Sequence, residues 1–288
     1  MKSIIALLFT SLSLSLSANA FVTVNNPAVT VLAESDSSKL LKEKYHLQLS
    51  AHRGNSALAP ENTLATFKAV MAMGVDYIEI DVRTTKDGQL MILHDATLNR
   101  TTDGTGPMKN YTLEELRKLS AGKGYQGAFK DERIPTLEEA AQLVAQWNKH
   151  HKHKTNLYVD CKDVAPEPLV KELKEHKLLK DAVFYGSDDF LLSLKKVYPQ
   201  AKLMPSLNKR EELESKIERL QPYAFDVRWT SLNESLVADI HKHGVKVFSD
   251  VLSVLDTPAN YKKATAMGVD LIQTDYVRKV YKTLLDNN

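Results

Sequence analysis

Glu79 and Asp81 stand two residues apart in the run YIEIDV (77–82), and Asp160 and Lys162 have the same spacing in NLYVDCK. Side chains alternate between the faces of a strand, so Glu79 and Asp81 share one face while Ile78, Ile80 and Val82 take the other. Burying the apolar set against helices turns both carboxylates inward. By the same rule Tyr158, Asp160 and Lys162 share a face opposite Val159 and Cys161. Carboxylates this close repel unless a cation or a proton intervenes. One reading is a satisfied network in which Lys162 neutralises Asp160 and no ion binds. Three acids on neighbouring strands point instead to a metal site, and an all-oxygen donor set suits Ca²⁺ or Mg²⁺.

Two histidines flank these acids. His52 ends the run LQLSAH (47–52), and His94 lies at the end of GQLMILHD, which returns after the turn at TKDG. Such a pair suits general acid–base chemistry on a phosphate ester, one ring taking a proton while the other protonates the leaving oxygen. Arg53 and Lys162 would hold the anionic oxygens, Arg53 by a two-point grip. Trp229, at the end of AFDVRW, is expected to wall the substrate rather than cap the core. Asp275 is expected to cap the last helix. HHKHK (150–154) reads as a solvated helix end, and Cys161 as a small buried filler.

The elements that must position these groups come in a steady rhythm. Eight β-type runs, at 47–52, 77–82, 156–161, 182–186, 202–207, 224–229, 245–250 and 271–275, alternate with amphipathic segments. This predicts a (β/α)8 barrel with its site at the carboxyl ends of the strands. A doubly wound sheet is the alternative, but no glycine-rich phosphate loop follows the first strand. Gly74, Gly244 and Gly268 fall where left-handed caps would stop helices. AMGVD occurs at both 72–76 and 266–270, which predicts one helix-to-strand joint used twice. Residues 95–135 interrupt the rhythm and read as an insertion after the second strand, a lid or substrate wall.

The first 20 residues read as a secretory signal peptide: Lys2, an apolar stretch, and Ala18-Asn19-Ala20 as a cleavage pattern. No cysteine follows the stretch, so no lipid anchor is expected there, and the product would be exported, to the periplasm or the medium. Residues 21–45 read as an N-terminal arm and 46–288 as the barrel. Without the leader, 37 basic residues face 36 acidic ones. That balance argues against nucleic acid as a partner. The single cysteine excludes an intrachain disulfide, and the 43% apolar content suffices for one large core. The oligomeric state is not written in the sequence.

His52-Arg53-Gly54, Pro60-Glu61-Asn62-Thr63, Glu79-x-Asp81, His94-Asp95, LNRTTDGTG, Asp160-x-Lys162 and GVDLIQTDY together resemble the glycerophosphodiester phosphodiesterase family. The resemblance spans most of residues 47–276. It implies a metal-dependent barrel that cleaves small glycerophosphodiesters to glycerol 3-phosphate and an alcohol. A glycerol hydroxyl would serve as the internal nucleophile. His52 and His94 become the acid–base pair, Glu79, Asp81 and Asp160 the metal ligands, and Glu61 a support or further ligand. Arg53 and Lys162 meet the phosphate.

Two departures stand out. The family usually has glutamate where this chain has Asp160. Its seventh strand usually ends in tryptophan–threonine with an asparagine nearby, where this chain reads Phe248-Ser249-Asp250. Phe248 is therefore expected to touch the substrate, and the extra carboxylate to favour a cationic or hydroxyl-rich head group. Other readings are a related phospholipase D-like or phosphoinositide-cleaving enzyme, or a barrel that binds phosphorylated head groups without turnover. The missing histidine or acid that would favour the last is not found. Lack of an aromatic-rich exposed loop weighs against attack on bilayers.

Overall fold

The structure, a computed structural model, describes residues 34–54, 57–125 and 127–286. The expected signal peptide and the start of the arm lie outside the described residues. The rest of the arm is helix α1 (Glu34–Tyr45), whose Leu41 is buried and whose Tyr45 hydroxyl donates to the Leu284 carbonyl at 3.1 Å. Then follow β1 (Gln48–Ala51), α2 (Leu64–Ala72), β2 (Tyr77–Thr84), β3 (Leu90–Ile92), the short α3 (Leu113–Leu116) and α4 (Leu137–His150). The alternation continues with β4 (Asn156–Asp163), α5 (Pro166–Glu175), β5 (Val183–Tyr185), α6 (Asp188–Val197), β6 (Lys202–Met204) and β7 (Ser206–Leu207). The chain closes with α7 (Leu213–Leu220), β8 (Ala224–Val227), α8 (Glu234–Lys242), β9 (Lys246–Asp250), α9 (Pro258–Met267), β10 (Leu271–Thr274) and α10 (Val277–Leu285).

The parallel strands run β6-β5-β4-β2-β1-β10-β9-β8-β7, with β3 antiparallel on β2. Strands β6 and β7 are one run broken at Pro205, which has no N–H for the ladder. Its first half pairs with β5 and its second with β8. The two ends of the order are thus one stave, and the sheet is the expected eight-stave barrel. The Pro205 carbonyl still accepts from the Asp226 N–H at 3.1 Å. Among the described residues no helix is long and apolar enough to cross a membrane.

Alternation sorts the core as expected. Ile78, Ile80, Val82, Val159 and Cys161 join the large cluster between staves and helices. Inside the barrel, Tyr77, Tyr158, Val183, Met204, Ala224, Phe248 and Leu271 form a separate apolar floor. The AMGVD joints do the same work twice. Gly74 and Gly268 take φ of 72° and 78°, in the left-handed region glycine enters without steric cost. Asp76 then accepts from Leu49 N–H (3.0 Å) and donates its own N–H back to Leu49. Asp270 repeats this pairing with Val247. Each aspartate clamps the stave it leads into to the one before it, near their entrance.

The segment 95–135 builds a small core of its own from Leu98, Met108, Leu116, Ala121 and Ile134 against Met91 and Leu93. A capping box, Thr112 with Glu115, starts α3.

Candidate functional site

Strand β1 ends in a turn that the sequence makes tight. Arg53 has φ 50° and ψ 26°, a left-handed conformation that costs a non-glycine residue about 1 kcal/mol. Two backbone contacts hold it: Arg53 N–H donates to Glu79 Oε2 at 2.7 Å, and its carbonyl accepts from Asn62 N–H at 2.9 Å. Gly54 follows at φ 77°, where a Cβ would sit 2.5 Å from Thr66 Cγ2 and 2.7 Å from Phe67 Cδ1. Only glycine fits. The turn places His52 and Arg53 above the acids of β2.

Glu79, Asp81 and Asp160 each offer an oxygen within 4.8 Å of the others, so the structure brings the three expected ligands together. Glu79 is 3% exposed and Asp81 fully buried. Burial, and then the charges of Asp81 and Asp160, push the Glu79 carboxyl well above the usual carboxylate range. Burial also raises Asp160, against the opposing pull of Lys162. Lys162 Nζ lies 2.5 Å from Asp160 Oδ2 and 3.1 Å from Asp81 Oδ1. Burial disfavours this ammonium, but Asp81 and Asp160 outweigh it and hold it protonated.

One monovalent cation does not satisfy the cluster. Asp81 Oδ1 is buried against Lys162, Arg53 Nε is buried 3.7 Å from Asp81 Oδ2 and outside hydrogen-bond reach of it, and Asn62 Oδ1 is buried without a hydrogen bond. Asn62 Nδ2 donates to Asp81 Oδ2 at 2.7 Å. Buried polar atoms without a hydrogen bond are costly, and Arg53 Nε and Asn62 Oδ1 lie where three acids converge. The donor set fits a hard divalent ion, and Arg53 brings a guanidinium beside it.

Both histidines are oriented by carboxylates. His52 Nδ1 donates to Asp275 Oδ1 at 2.8 Å, which leaves Nε2 as the unprotonated ring nitrogen of the neutral imidazole. Burial opposes ionisation of Asp275, but the His52 hydrogen bond and charge overcome it and hold its pKa below the usual range. Asp275 thus orients a ring rather than capping α10, whose N-cap makes no side-chain hydrogen bond. The helix-capping expectation is corrected. His94 Nδ1 likewise donates to Asp95 Oδ1 at 2.8 Å. The His94 carbonyl is gripped by Arg83, Nε at 3.0 Å and Nη2 at 2.7 Å. His94 acts electrostatically on Asp160 and His52 on Asp250, so each ring lies near a buried acid of the barrel mouth.

A chain of ion pairs joins the two sides. Arg100, from the insertion, grips both oxygens of Asp95 (2.8 and 2.9 Å) and both of Glu61 (2.7 and 2.8 Å). Glu61 in turn accepts from Arg53 Nη1 at 3.0 Å. Burial opposes the Glu61 anion, yet Arg100 and Arg53 keep its pKa low. Glu61 is therefore a support for the shell; its oxygens are taken by guanidinium groups.

Next to the cluster lies a cavity of about 270 Å³ at the carboxyl ends of β7, β8 and β9, lined in part by Tyr185, Asp226, Trp229 and Asp250. Trp229, 8% exposed, packs on the main core and also lines this cavity. Phe248 does not reach it. It is 1% exposed in the barrel floor, with its ring 6.1 Å from Tyr77. Phe248 aligns with Leu271 and Asp226 one level below the mouth, and two residues on Asp250 takes the place expected for it. Burial lifts the Asp250 carboxyl to about 6, with Asp160 and Asp275 adding to the rise and His52 opposing it. Burial and then Asp250 drive Asp226 well above its ordinary value.

The profile of the Glycerophosphoryl diester phosphodiesterase family matches residues 52–279. The chain belongs to this family. It is an enzyme of the phosphoric diester hydrolase class. A glycerophosphodiester phosphodiesterase of Caldanaerobacter subterraneus subsp. tengcongensis is 35% identical over 232 residues, covering 78% of this chain and 92% of that one. The solved structure of an Oleispira antarctica phosphodiesterase in complex with the product sn-glycerol-3-phosphate superposes with a TM-score of 0.74 at 28% identity, over 82% of this chain and 96% of that one. A glycerophosphodiester phosphodiesterase structure from Agrobacterium tumefaciens shares the fold, with a TM-score of 0.73 at 24% identity and coverage of 82% and 99%.

Asp275, Asp95, Arg100 and Asp226 extend the set expected from sequence. Strand alternation in AFDVRW already turned Asp226 inward, the same signal that marked Glu79 and Asp81. Nothing local in the sequence pairs Arg100 with Glu61, 39 residues away.

Proposed function

We propose that this enzyme hydrolyses glycerophosphodiesters to glycerol 3-phosphate and an alcohol, using a divalent ion and the His52–His94 pair. The observation that carries the reading is the convergence of Glu79, Asp81 and Asp160, with oxygens within 4.8 Å of one another, below a turn that carries His52 and Arg53. Glu79, Asp81 and Asp160 would hold Ca²⁺ or Mg²⁺; a bound ion of this kind neutralises phosphate charge and acts as a Lewis acid. Arg53 and Lys162 bind the phosphate oxygens, and Trp229 walls the departing alcohol. One imidazole withdraws a proton at its Nε2 from the attacking glycerol hydroxyl while the other delivers a proton to the leaving oxygen. With roles reversed the pair adds water across the cyclic phosphate that results, giving glycerol 3-phosphate. Asp275 and Asp95 keep each Nδ1 protonated and stabilise the imidazolium as it forms. The Oleispira relative's bound product supports the substrate class. The leader pattern supports export.

The test is release of glycerol 3-phosphate from a panel of glycerophosphodiesters. His52→Ala and His94→Ala should each lower kcat by at least about 10²-fold while the circular dichroism spectrum stays unchanged. Chelator should abolish turnover, and Ca²⁺ or Mg²⁺ should restore it. Full activity in either alanine variant, or indifference to chelator, would overturn the corresponding assignment.

A further inference from the structure

The cavity beside the acids is built for more than bulk. Its walls differ in chemistry. One is the indole of Trp229; another is the Tyr185 hydroxyl, hydrogen-bonded to Ser206 Oγ at 2.8 Å. Asp226 and Asp250 line the deeper part, and the exposed Arg228 and Asn208 stand at its rim. Among the described residues neither the Asp226 carboxyl nor the Arg228 guanidinium makes a side-chain hydrogen bond or a salt bridge, although the Arg228 charge acts on Asp226. Polar groups left open in a recess next to a reaction centre serve whatever enters it.

Two acids would suit a cationic head group, but their setting argues otherwise. Arg228 places a permanent positive charge at the entrance, which repels an ammonium. Burial, and then Asp250, push the Asp226 carboxyl above its ordinary range, which disfavours its anion. The recess thus presents hydroxyl, carboxyl, amide and guanidinium groups, with Arg228 offsetting the Asp250 charge. An aromatic face beside such groups matches a compact ring or chain that carries C–H on one side and hydroxyls around it.

We propose that this cavity binds the leaving alcohol as a polyol, with Asp226, Asp250, Arg228 and Trp229 selecting glycerophosphodiesters of polyhydroxylated alcohols over those of choline or ethanolamine. The proposal rests on the hydrolase reading above and assigns the side of the site where the alcohol lies. A hydroxyl-bonding recess rejects a partner lacking hydroxyls because its own buried groups are then left unpaired.

The test uses the full chain saturated with Mg²⁺ or Ca²⁺. It compares kcat/KM for glycerophosphoinositol and glycerophosphoglycerol with values for glycerophosphocholine and glycerophosphoethanolamine. The expected result is a preference of about tenfold or more for the polyol diesters. That ratio should fall toward one in Asp226→Ala and Trp229→Leu. Arg228→Leu and Asn208→Leu alter exposed rim residues and keep the test open if a deeper variant fails to fold. A choline or ethanolamine diester turned over as well as the polyol diesters, or a ratio unchanged in all four variants, overturns the proposal and leaves the hydrolase reading standing. No turnover of any of the four substrates overturns the hydrolase reading and this inference together.

Discussion

Replacing Asp275 by asparagine isolates the role of one carboxylate. The backbone at this point is held independently, since Asp275 N–H donates to Asp256 Oδ2 at 2.7 Å. Asparagine has the same shape but only one acceptor oxygen. Turned toward His52, that oxygen leaves the amide NH₂ facing the Ser253 N–H, which now donates to Asp275 Oδ2 at 3.3 Å. Turned the other way, the NH₂ faces His52 Nδ1 and moves the ring proton to Nε2, the wrong nitrogen for taking a proton. The substitution also removes the negative charge 2.8 Å from the ring just where an imidazolium must form. Loss of tautomer and charge together should lower kcat by about 10²–10⁴-fold, or roughly 3–5 kcal/mol in the barrier. The pair is partly exposed, so stability should change by no more than about 1 kcal/mol. Steady-state release of glycerol 3-phosphate, with KM and kcat resolved and thermal unfolding measured in parallel, checks this. A kcat within about threefold of the parent enzyme would refute the assignment of Asp275 as the group that orients His52.

Arg100→Met should cut kcat by about 10- to 100-fold by freeing Asp95 and Glu61 together, and Arg100→Lys should rescue little because an ammonium cannot grip both carboxylates; a KM-against-kcat comparison reads it. Asp250→Asn tests pH dependence. The folded enzyme lifts this carboxyl from 3.8 to about 6, so it binds a proton more readily folded than unfolded. Its ionisation therefore destabilises the fold as pH rises through that window and fully above it. The variant should be more stable than the parent at pH 8, by about 1–3 kcal/mol, and equal to it below pH 4. Urea unfolding at the two pH values measures the difference, and an equal offset at both would sink the reasoning.

The staves were legible because each is a short apolar run between turn signals, and alternation along 77–82 and 156–161 was enough to aim Glu79, Asp81 and Asp160 inward. Local patterns could not show the break at Pro205, because one stave serving two neighbours is a property of ring closure. Asp275 was misread for a similar reason: an aspartate before a helix usually caps it, and only the fold brings His52, 223 residues away, within reach. Phe248 failed on depth. The family motif placed it against substrate, but its level along the axis depends on register with Asp226 and Leu271. The Arg100 bridge depends on the path of the insertion, which carries no period.

The floor of Tyr77, Tyr158, Phe248 and their neighbours makes the barrel a blind vessel. Among the described residues these side chains close the barrel below the acids, so the cavity and the acid cluster open toward the carboxyl ends of the strands.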